Sequence, residues 1–153
     1  MHWMILPFKR YADFQGRSRR MEFWMFQVLN IIVAAVLAGP IIFAVVSAAA
    51  AAELGDNPNP LEALGTLGTA SAGLYGLYAL AAFIPSLAVT VRRLHDRDMS
   101  GWWYVGFALA GLIPFVGFIA SIAFLVVLLL PGTAGSNRFG PDPKNPYEED
   151  VFA

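Results

Sequence analysis

Three apolar stretches, each long enough to cross a bilayer, constrain this chain more than any other feature. They run from Phe23 to Ala52, from about Leu61 to Val91 and from Trp102 to Leu130. The first and third carry no formal charge, and the second has only Glu62, at its start. A hydrocarbon core about 30 Å thick needs roughly 20 apolar residues as helix. A core helix of a soluble protein shows a polar stripe at helical period, and none of the three offers one. Composition agrees: the 153 residues are 58% hydrophobic and 14% charged, with mean hydropathy +0.59, where soluble domains are about a quarter charged. The expected fold is all-α, a polytopic transmembrane helical bundle. It has two long spans, apolar helical segments over 22–52, 62–92 and 102–130, and a third segment that is either a kinked span or a short helical hairpin.

Each stretch contains a proline: Pro40, Pro85 and Pro114. Proline removes a helical hydrogen bond and bends or breaks the helix, and in lipid the freed carbonyls must be satisfied by neighbouring protein or trapped water. Ile113-Pro114-Phe115, between Gly111 and Gly117, suits a turn and favours the hairpin for the third segment. In the second stretch Gly65, Thr69 and Gly73, and likewise Gly68, Ala72 and Gly76, recur every four residues, a pattern that lets helices approach closely. Gln27 and Asn30 share one face of the first stretch, where amides are expected to hydrogen-bond a neighbouring helix. The acidic, proline-rich loop from Glu53 to Pro60 and the glycine- and proline-rich segment after Pro131 read as solvated. Residues 1–147 are expected to form a single membrane domain and 148–153 a flexible acidic tail.

Positive charge falls in two clusters, Lys9, Arg10, Arg17, Arg19 and Arg20 before the first stretch and Arg92, Arg93 and Arg97 after the second. The loop between those stretches has neither lysine nor arginine. By the positive-inside rule the N-terminus and the Arg92 loop face the cytoplasm. Arg138 and Lys144 favour the same side for the tail, which requires the third stretch to turn back. Trp3, Phe8, Tyr11 and Phe14, interleaved with Lys9, Arg10 and Asp13, read as a short element at headgroup level, and Trp24, Trp102, Trp103 and Tyr104 as interfacial anchors. The opening residues lack the charge and apolar run of a cleavable signal peptide.

Two polar blocks carry what chemistry the chain offers. Arg92-Arg93-Leu94-His95-Asp96-Arg97-Asp98 follows the second stretch, and Gly16-Arg17-Ser18-Arg19-Arg20-Met21-Glu22 precedes the first. Arg92 and Asp96, one helical turn apart, are expected to pair, and Glu22 to pair near Arg19. A metal site needs three or four ligands, but there are no cysteines and the histidine besides His95 is His2, so no metal or other cofactor is expected. With a formal net charge of −1 and no suitable fold context, nucleic acid is not an expected partner. No phosphate loop, nucleophile elbow or paired catalytic carboxylates are present. Guanidinium groups pair phosphate bidentately, so membrane lipids are the expected partner. A homo-oligomer or a second membrane protein is left open.

These blocks, together with Ser100-Gly101-Trp102-Trp103, Ile113-Pro114-Phe115-Val116-Gly117 and Gly135-Ser136-Asn137-Arg138-Phe139-Gly140-Pro141-Asp142-Pro143, resemble in their order the family of unknown function numbered 805 (DUF805). The stretch from Ser47 to Leu67 is longer than in compact members. The resemblance implies a bacterial inner-membrane location and a helical fold, and implies no activity. It sharpens one expectation: the Arg17, Arg92 and Arg138 blocks meet, with Asp96 or Glu22 bridging arginines from different segments. The resulting candidate anion or headgroup cluster is Arg17, Arg19, Arg20, Glu22, Arg92, Arg93, His95, Asp96 and Arg138. The chain is expected to be a non-enzymatic binding, scaffold or regulatory component, with a small oligomeric transporter or channel and a lipid-headgroup enzyme as rivals.

Overall fold

The computed structural model describes residues 2–55 and 59–145. The expected acidic tail, 148–153, lies outside the described residues, as do 56–58 of the acidic loop. Among the described residues five helices follow in order: α1 (His2–Lys9), α2 (Arg20–Glu53), α3 (Pro60–His95), α4 (Trp102–Ala110) and α5 (Val116–Leu129). The fold is all-helical, with two long apolar helices and a third apolar segment, as the sequence led us to expect. Only 6% of the most apolar stretch of α2 and 28% of that of α3 is buried within the chain. A soluble core helix hides its apolar face, and within the chain neither of these does.

The chain forms two compact units, one running to Phe26 and resuming at Ile84, the other spanning Gln27–Phe83. In the second unit α2 and α3 meet through side chains. The Tyr78 hydroxyl donates to Asn30 Oδ1 at 2.7 Å, and the buried Ser71 hydroxyl donates to the Leu37 carbonyl. Asn30 to Leu37 is seven residues forward and Tyr78 to Ser71 seven back, so the helices run antiparallel. One step further, a Cβ on Gly68 would lie 3.9 Å from that of Ala44. The small-residue rows do less than their spacing suggested: a Cβ on Gly73 or Gly76 would meet open space. Gly65 is a helix break, at φ 58° and ψ −174°, a conformation only glycine adopts readily.

In the first unit, α1 lies against the start of α2 through an edge-to-face contact of Phe8 and Phe26, 5.3 Å between ring centres. Phe26, Val89 and Leu94 are fully buried there. The third apolar segment is a helical hairpin. α4 ends at Gly111, and α5 packs back on it through Phe107 and Phe124, 5.0 Å apart. α3 ends in a Schellman motif, with the Asp98 amide donating to the His95 carbonyl at 2.9 Å and the Met99 amide to the Leu94 carbonyl at 3.0 Å. Asp98 occupies the left-handed position, at φ 57°, where glycine is usual. The chain reverses there into α4.

Candidate functional site

Arg17 enters on the loop before α2, Glu22 sits in its first turn, and Arg92, Arg93 and Asp96 lie in or just beyond the last turn of α3. Asp96 is the hub. Its Oδ1 accepts from Arg17 Nε at 3.0 Å and its Oδ2 from Arg93 Nη1. Arg92 Nη2 donates to Glu22 Oε1 at 2.9 Å. All five side chains are buried, Arg92 and Arg93 completely. The expected Arg92–Asp96 and Glu22–Arg19 pairings therefore give way to others. At the end of α3, Arg93 rather than Arg92 turns towards Asp96, and Arg92 instead meets Glu22 across from α2. Charges this deep are tolerable only when paired and hydrogen-bonded.

The remaining guanidinium donors bind backbone. The last carbonyls of a helix lack partners and carry its negative dipole end. Accordingly, Arg93 takes the Leu128 carbonyl at 3.1 Å and the Leu130 carbonyl as well. Among the described residues beyond α5, backbone bonds such as the isolated bridge of Asn137 with Gly140 serve a few carbonyls, and arginines supply donors to others. Arg97 binds Pro131 at 2.5 Å, Arg17 binds Thr133 and Gly135 at 2.6 Å each, and Arg19 binds Pro143 at 2.5 Å. The Thr133 amide returns a bond to the Asp96 carbonyl at 2.8 Å. A Cβ on Gly132 would fall on the Asp96 carboxylate, so any other residue there would have to displace it. The segment from Pro131 to Pro143 is thus strapped across the end of α3.

His95 stacks on Phe139, 3.9 Å between ring centres at 3°, and its Nδ1 donates to the Gly16 carbonyl at 3.2 Å. Its own carbonyl accepts from Asn137 Nδ2 at 2.9 Å. Arg138 pairs with exposed Asp98 at 3.2 Å, beside the buried group rather than within it. Arg92 is under-satisfied: its Nε and Nη1 have no hydrogen-bond partner among the described residues, and Asp13 Oδ2 stands 3.7 Å from Nη1. Burial works to raise the Asp13 pKa, but hydrogen bonds from Arg10 and the Gln15 amide, with the charges of Arg10 and Arg92, outweigh it and hold the carboxyl below its ordinary value.

Beside the strap lies a pocket of about 260 Å³, lined by Arg17, Arg19, Arg20 and Asp96 together with Gly132, Thr133, Asp142 and Lys144. Arg17 and Asp96 are committed to each other. Arg19 spends Nε on Pro143, and Arg20 makes one long contact, 3.4 Å, to the Leu129 carbonyl. Arg19, Arg20 and Lys144 are the lining cations that pair with no carboxylate among the described residues. Of the expected cluster, then, Arg17, Glu22, Arg92, Arg93 and Asp96 form an internal ion-pair knot, while Arg19 and Arg20 face the pocket. Sequence reasoning missed Gly132, Thr133, Asn137 and Lys144 as parts of the site. The tail's glycines gave a weak signal of close approach; its carbonyl acceptors gave none.

The profile of the family described as "Protein of unknown function (DUF805)" matches residues 11–141. The chain is 38% identical to the inner membrane protein YhaI of Escherichia coli K12 over 144 residues, 94% of this chain and 97% of that protein. It is 39% identical to the inner membrane protein YhaH of the same strain over 144 residues, 94% and 98% of the two chains. No solved structure matches.

Proposed function

Since this chain belongs to the DUF805 family, we propose that it is a non-catalytic, multi-pass component of the bacterial inner membrane that binds anionic lipid headgroups at its cytoplasmic face. The N-terminus and the Arg92 loop lie on that face. The location is supported by the naming of YhaI and YhaH as inner membrane proteins, and the orientation by the absence of Lys and Arg between α2 and α3.

The observation that carries the binding role is the pocket beside the knot. Four cations line it against two carboxylates, and Asp96 is already neutralised by two arginines. A phosphate entering it gains charge-assisted bonds from Arg19, Arg20 and Lys144 without having to break the knot. Lipid phosphates lie at the depth where cationic residues flank membrane helices. A catalytic role for His95 and Asp96 has less support, since the ring is stacked and bonded and the carboxylate is buried between cations. A polar transport path is disfavoured because the Asn30 amide oxygen is taken up by the Tyr78 hydroxyl.

The test is native mass spectrometry of the purified chain with added phosphatidylglycerol or phosphatidylethanolamine. We expect preferential retention of phosphatidylglycerol, lost when exposed Arg20 and Lys144 are both changed to Gln while the unfolding temperature holds. Equal retention by the variant removes the pocket from consideration.

A further inference from the structure

The α4–α5 hairpin is apolar throughout, yet neither helix is long enough to cross a membrane. α5 has 14 residues and α4 has 9, about 21 and 14 Å of helix against a core of about 30 Å. Between Val105 and Leu129 the one polar side chain is Ser121, and its hydroxyl donates to the Gly117 carbonyl at 2.7 Å. Trp102, Trp103 and Tyr104, the rings with polar tips, all lie at the open end of the hairpin. The closed end carries Leu112, Ile113 and Phe115, and Phe115 is 89% exposed.

Five amides of the turn are paired within the hairpin. The Gly111 amide donates to Phe107 at 2.9 Å, Leu112 to Leu109 at 3.1 Å, Ile113 to Ala110 at 3.1 Å, Val116 to Pro114 at 2.8 Å and Gly117 to Ile113 at 2.7 Å. Pro114 has no N–H to offer, and Phe115 alone between Gly111 and Gly117 donates to none of the described residues. A Cβ on Gly117 would lie 2.6 Å from the Gly111 carbonyl oxygen, so the close approach that seals the turn needs glycine there. A solvated loop has no need of such closure, whereas a turn in hydrocarbon does. The open end is tied through Leu130 to Arg93 of the polar knot and through Pro131 to the neighbouring Arg97.

We infer that residues 102–130 form a re-entrant hairpin whose tip, Leu112 to Phe115, contacts lipid acyl chains. It enters the bilayer from the face that carries the knot and turns back before reaching the other. The aromatic anchors sit at one end because only that end meets an interface.

The chain has no cysteine, so a single spin label reports unambiguously. Phe115→Cys and, at the exposed strap, Ala134→Cys are labelled and reconstituted in liposomes. The ratio of collisions with oxygen to collisions with an aqueous nickel chelate is then read by electron paramagnetic resonance. We expect the ratio at position 115 to exceed that at 134 several-fold. Chelate access at 115 equal to that at 134 would overturn the inference, since it means a tip in water or at the far headgroups. Low collision with both reagents would overturn it too, since it means a tip buried in protein.

Discussion

Asp96 stands where two arginines and the backbone of Gly132 converge, and its charge makes the buried cations tolerable. Removing one partner from a buried ionic network costs about 3–5 kcal/mol, because the other charges stay behind unpaired. Asp96→Asn should therefore lower the thermal unfolding midpoint in detergent sharply. Asp98→Asn, which breaks the exposed pair with Arg138, should change stability by less than about 1 kcal/mol. Similar losses in the two variants would mean that the strap is held by something other than the knot. The residues of this network were legible in the sequence, since two arginine-rich blocks containing acids flank uncharged stretches. Their pairing was not. On a helix, i+3 and i+4 neighbours are both within reach, and the choice of Arg93 over Arg92 depends on Glu22, 70 residues away in the chain.

Among the elements, the seam of α2 and α3 places Gly68 beside Ala44 and leaves Gly73 facing open space. Gly68→Leu should push the two helices apart and lower the unfolding midpoint, while Gly73→Leu should leave it unchanged. A loss with Gly73→Leu in place of Gly68→Leu would reverse the assigned face. Spacing alone could not make this choice, since both glycines belong to four-residue rows on the same helix. The amide of Asn30 was readable as a seam residue because an unpaired amide in lipid is costly. Its partner Tyr78 was not, since tyrosine in an apolar run reads equally well as an interfacial anchor. The hairpin of the third segment was favoured by Gly and Pro around residue 114, and the structure has it.

For the whole molecule, all ten Lys and Arg residues fall outside Gln27–Phe83. On the proposed topology, in which the hairpin returns to its starting face, the number of crossings is even. Reporter fusions at the N-terminus and at the C-terminus should both be active on the cytoplasmic side, and a reporter inserted at Asn59 should be active only on the opposite side. Opposite readings for the two ends would require the 102–130 segment to cross.

The sequence by itself determined the solvent and the helical class, because the cost of placing charge in hydrocarbon is local and additive along the chain. It also showed which loops carry the cations. The tertiary structure decided which arginines are consumed and which face a pocket, for a guanidinium's fate depends on acceptors brought to it from elsewhere. Several of those acceptors are backbone carbonyls of Pro131, Thr133, Gly135 and Pro143. Every residue carries a carbonyl, so no side-chain pattern can announce which ones an arginine will find.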